Sequence, residues 1–196
     1  QSWVGESTGL QLFDLSDPTN PTDLATVSIE GALITSRTTA AGVHIVSRHS
    51  PSMDGFVYYP SSEQDKANND ALRQNLSWED LLPEVLENNV PMALFNADNC
   101  YSIDADHPLA PRQLGYPTVT TVVTINPNTG AVTGGLCYLE YSDGAYFSRE
   151  ALHLTQTDYD KDSQRHRTYV HRFDLSAGMT YAGSGCVDGA LFLGGQ

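Results

Sequence analysis

Apolar residues recur along this chain at every second position, in short runs separated by turn formers. Phe13 and Leu15 share one face of a first run, and Ala25, Val27 and Ile29 alternate in a return run. That period is the period of a β-strand. Between the two runs, Ser16-Asp17-Pro18-Thr19-Asn20-Pro21 sets a turn through its Asp-Pro and Asn-Pro steps. Residues 33–38 and 43–47 flank Thr39-Ala40-Ala41-Gly42, a short hairpin loop carrying glycine. Alternation resumes at 118–125, with Val119, Val123 and Ile125 on one face. It turns at Asn126-Pro127-Asn128-Thr129-Gly130 and returns over 131–140. Residues 145–148 and 152–156 read as the next hairpin and 157–167 as a polar excursion. Tyr169, His171, Phe173 and Leu175 then alternate, 181–187 return, and 190–193 begin another strand.

These runs repeat. Leu12-Phe13-Asp14-Leu15-Ser16 returns, altered, as Val122-Val123-Thr124-Ile125-Asn126 in the middle of the chain and as His171-Arg172-Phe173-Asp174-Leu175-Ser176 near its end. An acidic-Gly-Ala step follows as Glu30-Gly31-Ala32, Asp143-Gly144-Ala145 and Asp188-Gly189-Ala190. Strand pairs at regular intervals, joined by a glycine step, fit a sandwich, a barrel or propeller blades. Internal repetition favours blades. The expectation is an all-β, β-propeller-like fold of antiparallel blades over 9–49, 118–156 and 167–195, within a single domain or fragment spanning 1–196. The three glycine steps would be the handovers from the outer strand of one blade to the inner strand of the next. About three blade equivalents make an incomplete ring, since propellers have about four blades or more.

Residues 50–117 interrupt the pattern as a partly helical insertion. Glu63 to Asn75 reads as a polar surface helix. Ser77-Trp78-Glu79-Asp80 resembles a helix start, with Ser77 as cap. Leu81, Leu82, Val85 and Leu86 extend an apolar stripe to about residue 88, and Pro83 should split it. A lid or a packed decoration are the two readings of so long an excursion, and decoration is favoured because no charged cluster inside it converges.

Composition narrows the function classes. Acidic residues number 24 against 10 basic ones, for a net charge of −14, which argues against binding nucleic acid or an anionic membrane by bulk electrostatics. No run reaches the length of a membrane span. Cys100, Cys137 and Cys186 lie far apart. At most one disulfide can form, a zinc site is not indicated, and buried free thiols are the expected state.

Laid out in this way, the chain resembles a family of bacterial secreted proteins whose C-terminal β-propeller is described as distantly related to WD40 repeats. The resemblance rests on Phe13 to Pro21, Gly31 to Arg37, Trp78 to Pro83, Asn99-Cys100, and above all Tyr169 to Asp174 with Ser184 to Gly189. It implies export to the periplasm, envelope or exterior, and further blades beyond the three seen here. It assigns no catalytic residue.

Candidate chemistry is sparse. His44 and His153 occupy matching places on second strands, where a shared metal-binding face competes with the more ordinary reading of one hydrogen bond each between blades. Asp158, Asp160 and Asp162 alternate like the oxygen donors of a calcium loop. Ser163 and Tyr169 stand where an EF-hand needs glycine and glutamate, so calcium would require another loop type. Asp104 and Asp106 could hold a cation or serve a glycan hydrolase, and Phe56, Tyr58 and Tyr59 could form a sugar-stacking platform or simply pack. Ser47, His49 and Ser50 lie close in sequence without a nucleophile elbow. The expected function is therefore a non-catalytic binding or scaffolding module. Its partner would be a protein or further polypeptide completing the ring, with self-association open; a secreted glycan hydrolase and a calcium-stabilised adhesion domain are the alternatives. No cofactor is expected, apart from calcium at the aspartates.

Overall fold

A computed structural model describes residues 6–103, 118–160, 164–175 and 178–191. The alternating runs become three sheets. The first holds β1 (Ser7–Asp14) and β2 (Thr22–Glu30). The second holds β3 (Ala32–Thr39), β4 (Gly42–His49), β8 (Val119–Ile125) and β9 (Val132–Tyr138), in that order. The third holds β10 (Gly144–Phe147), β11 (Ala151–Asp160), β12 (Arg165–Asp174) and β13 (Thr180–Asp188). The sheets pack in sequence order. Val27 and Ile29 of the first meet Ile45, Val123 and Ile125 of the second. Val46, Val122 and Leu136 on the other face of the second sheet meet Leu152, Leu154 and Phe173 of the third. β8, in the middle sheet, is covered on both faces and all seven of its residues are buried. Its unbroken β-branched run Val119-Thr-Thr-Val-Val-Thr-Ile125 suits that position.

Register makes the repeat explicit. Thr8 lies opposite Ile29, Thr120 opposite Tyr138 and Thr168 opposite Val187. A bulge follows in each strand pair, at Leu12/Phe13, Thr124/Ile125 and Arg172/Phe173. All three threonines are buried. Each donates its hydroxyl to a carbonyl where the chain leaves the sheet: Gly31 at 2.8 Å, Glu140 at 3.1 Å and Gly189 at 2.8 Å. Gly31 and Gly189 have φ of 120° and 117°, a region that favours glycine. A Cβ on Gly31 would lie 2.7 Å from the Arg48 carbonyl oxygen.

The middle handover differs from the expected one. Gly144 lies inside β10 opposite Thr155, the place that Thr35 holds opposite Val46 in β3. The residue in the place of Gly31 is Glu140. The Asp143 carboxylate begins the inner strand instead of ending the outer one. It accepts hydrogen bonds from the Thr155 hydroxyl at 3.1 Å and the Thr157 N–H at 2.6 Å.

By the same register, β1 and β2 occupy the places of β8 and β9 and of β12 and β13. In the other sheets those pairs are preceded by an inner hairpin, β3-β4 or β10-β11. In the first sheet the corresponding inner places hold none of the described residues, and β1 is an edge strand. The fold is thus all-β and propeller-like, and the ring formed by the described residues is incomplete.

The insertion is more than decoration. α1 (Glu63–Asn75) forms as expected, closed by a capping box between Ser62 and Asp65. It is pinned by buried Asn69, whose amide bonds both the N–H and the carbonyl of Val57. Ser77 exchanges hydrogen bonds with Asp80, but the cap position of the helical turn that follows is held by Trp78, which makes no side-chain cap bond. That turn spans only Glu79–Leu81. Beyond buried Pro83 the chain is extended, and β5 (Val85–Glu87) pairs with β2 while β6 (Val90–Pro91) pairs with β5. The stripe expected on a helix thus serves a strand, with Val85 1% exposed. β7 (Cys100–Tyr101) then runs parallel to β9. The insertion therefore supplies outer strands to two sheets.

Two further expectations change. The polar excursion at 157–167 is largely strand: β11 runs to Asp160 and β12 starts at Arg165. Cross-strand pairs of Asp158 with Arg167 and Asp160 with Arg165 extend the ladder. The Thr157 and Thr168 hydroxyls also bond at 3.0 Å. The cysteines are not all free: Cys100 and Cys137, directly opposite on β7 and β9, form a disulfide, and Cys186 is the free thiol. Sequence spacing did not reveal this pair because the parallel register of a two-residue edge strand brings them together.

Candidate functional site

A cavity of about 220 Å³ opens between the second and third sheets. Strand alternation builds one wall: Tyr169, His171 and Phe173 project from one face of β12, and Tyr181 and Ser184 of β13 lie opposite Phe173 and His171. Tyr138 of β9 supplies the facing wall. Tyr101 of β7 closes the side, held by the Cys100–Cys137 disulfide and by the Leu139 N–H donating to the Tyr101 carbonyl at 2.8 Å. The rings of Tyr101, Phe173 and Tyr181 contact one another at centroid distances of 5.4, 5.8 and 5.9 Å, the range of favourable aromatic pairs.

A chain of polar atoms crosses this aromatic site. The Tyr138 hydroxyl lies 3.0 Å from His171 Nε2. His171 Nδ1 lies 2.5 Å from Ser184 Oγ, and Ser184 Oγ lies 2.7 Å from the Tyr181 hydroxyl. Burial lowers the His171 pKa to about 4, so the ring is neutral near pH 7. Burial, with the nearby Glu140 and Tyr181, pushes the Tyr138 hydroxyl well above its ordinary range. No charged side chain lines the cavity among the described residues. This arrangement can hold an uncharged molecule, with aromatic faces and a set of hydroxyl and imidazole partners. Sequence reading saw the alternation of Tyr169, His171 and Phe173 but missed the site, because its partners come from β7, β9 and β13.

The anticipated residues are placed as follows. His44 and His153 do hold equivalent positions, opposite Thr124 and Arg172. His44 bonds Thr39 and Thr124 at 2.9 Å each, within its own sheet, and meets the third sheet by stacking on Phe147 at 5.5 Å. His153 makes no hydrogen bond through Nδ1. No inter-blade hydrogen bond from either is present among the described residues. Asp158 stands on β11, its carboxylate accepting from the Tyr159 N–H at 2.8 Å. Asp160 ends that strand. The side chain of Asp160, and Asp104, Asp106 and Asp162 entirely, lie outside the described residues. Among the described residues no three His, Cys, Asp or Glu side chains converge as metal ligands. Phe56 and Tyr58 pack edge to face at 5.7 Å, with Arg73 over Phe56, while Tyr59 is 88% exposed. Ser47 and Ser50 bond to Thr121 and Thr118, away from His49, which lies 3.9 Å from Glu30. No described helix is long and apolar enough to cross a membrane.

Comparison with curated proteins and with solved structures returned no match. The family described as "Beta propeller domain" matches residues 1–193. With three repeated, register-matched sheets beneath that match, the chain belongs to the Beta propeller domain family.

Proposed function

We propose that this propeller serves as a non-catalytic binding and scaffolding module of an exported protein, and that its working surface is the open flank of the first sheet. The observation that carries the reading is the register of β1. Its counterparts β8 and β12 each pair with an inner strand, β4 and β11, whereas the matching edge of β1 carries no described strand. Sheet edges of this kind recruit strands, because a row of backbone donors and acceptors stands ready to pair. The occupant is an inner hairpin of the β3-β4 kind, from further polypeptide of the same protein, a protein partner or a second copy. The Cys100–Cys137 disulfide supports export, since such bonds persist in oxidising compartments.

Hydrogen exchange tests this reading. Amides of Gly9 to Leu12 should exchange faster in the isolated chain than in the assembly recovered from the native source. Equal protection in both, with the isolated chain monomeric, would overturn it. Reproducible turnover of a polymer by the isolated chain would overturn its non-catalytic part.

A further inference from the structure

We propose that the cavity between the second and third sheets binds a single uncharged ring bearing hydroxyl groups, a terminal pyranose of a glycan. This goes beyond the scaffolding reading and uses a different surface from the β1 edge.

Size comes first. A 150 Å³ cavity in a protein core holds one benzene ring, and sites for larger organic ligands run from about 300 Å³ upward. At about 220 Å³ this cavity takes one six-membered ring. Charge comes second: without a lysine, arginine, aspartate or glutamate on the described lining, a charged ligand would be desolvated without a partner.

Hydrogen bonding decides the rest. The chain Tyr138–His171–Ser184–Tyr181 contains three O–H groups and, in the neutral imidazole, one N–H. Four donors serve three hydrogen bonds, so one donor is left over. If His171 carried its proton on Nε2 and gave it to Tyr138, the leftover donor would be the Tyr138 O–H, on a residue 2% exposed. A buried unmade donor costs about 1–3 kcal/mol. The chain therefore runs the other way. Tyr138 donates to Nε2 and Nδ1–H donates to Ser184, so the unused donor sits on the exposed Ser184–Tyr181 pair at the cavity mouth. Tyr181, 46% exposed, also presents a ring there. An aromatic ring beside an unused hydroxyl donor, with hydroxyl lone pairs to spare, suits a sugar, which offers a flat C–H face, ring and hydroxyl acceptors, and hydroxyl donors. A phenol would stack but brings a single hydroxyl, leaving the remaining donor and acceptor positions of the site unused.

The test is a nuclear magnetic resonance titration of the 196-residue chain with the methyl pyranosides of glucose, galactose, mannose and N-acetylglucosamine, and with phenol. At least one pyranoside should bind saturably, shifting resonances of Tyr101, Phe173 and Tyr181. Tyr181→Phe, which keeps the ring and removes the donor, should weaken it roughly tenfold, and Tyr181→Ala should weaken it further. Tyr146→Phe, at an exposed tyrosine elsewhere on the third sheet, should leave binding unchanged. Any of three results would overturn the proposal: no pyranoside binding, binding of phenol alone, or binding indifferent to Tyr181→Phe.

Discussion

The two interfaces between sheets are built on one backbone pattern and filled with different chemistry. Across the first, Leu10, Leu12, Val27 and Ile29 meet Ile45, Val123 and Ile125, with Phe95 packed against the cluster, and the contact is mainly aliphatic. Across the second, the positions of Leu10, Leu12, Val27 and Ile29 are taken by Val122, Thr124, Leu136 and Tyr138. Two of the four have become polar. Thr124 bonds His44 and donates to the Met179 sulfur at 3.5 Å, and Tyr138 anchors the chain through His171. Ile29 and Tyr138 hold repeat-equivalent places, and the tyrosine at the second interface begins the hydrogen-bond path through His171. A repeat fixes where side chains point, while the function-bearing difference lies in which side chain is there.

The largest expected contrast between the two comes from the disulfide, which braces only the second. Cys100 and Cys137 are 37 residues apart in sequence, and closing such a loop contributes about 4 kcal/mol in the chain-entropy view. The double substitution Cys100→Ser, Cys137→Ser should lower stability by about that much in urea melts, and free Tyr101 to exchange ring environments. A loss below about 1 kcal/mol would mean that β7 is held by its backbone bonds alone.

On the aliphatic side, Ile29→Ala should cost about 3 kcal/mol, the usual range for a fully buried isoleucine, without touching the cavity. Calorimetry gives the loss, and unchanged Tyr181 resonances would confirm that the interfaces act independently.

The third difference is acid sensitivity. The His171 pKa falls from 6.5 unfolded to about 4 folded, so between those values the unfolded chain binds more protons and stability rises with pH. His171 should contribute nothing to the pH dependence above about 6.5, cost stability as pH falls towards 4, and level off below. The shift corresponds to about 3 kcal/mol before allowing for water near the ring and about 2 kcal/mol after it. His44 and His49 are lowered in the same direction by burial, so His171→Phe should remove only part of the acid limb in melts from pH 4 to 7.

Smallest is the repeated threonine. Thr120→Val leaves shape nearly intact and removes the bond to the Glu140 carbonyl, at about 1 kcal/mol. Thr8→Val, which likewise removes a single bond, to the Gly31 carbonyl, should cost a similar amount. Unequal losses would show that the handovers are not equivalent.

Much of this fold was legible in the chain because period-two alternation and the Phe-Asp or Ile-Asn step at each bulge are local signals. Glu63 to Asn75 was legible too, since its cap and polarity are local. The false match at Gly144 arose because Asp143-Gly144-Ala145 copies the letters of Asp188-Gly189-Ala190 four residues downstream of the true handover. The strand at Val85 was read as helix because its partner β2 is far back in the chain. The site was hidden for the same reason: Tyr101, Tyr138 and His171 come together only through register between strands separated by long connections, and alternation reports which face a residue takes without naming its neighbour.

The directed chain through His171 can be read straight from the imidazole. A long-range proton–nitrogen correlation spectrum near pH 7 separates the two neutral tautomers. Tyr138 donating to Nε2, with the free donor at the cavity mouth, predicts a proton on Nδ1. A proton on Nε2 would contradict it, placing the unused donor on buried Tyr138 and removing the basis for a ligand at Tyr181.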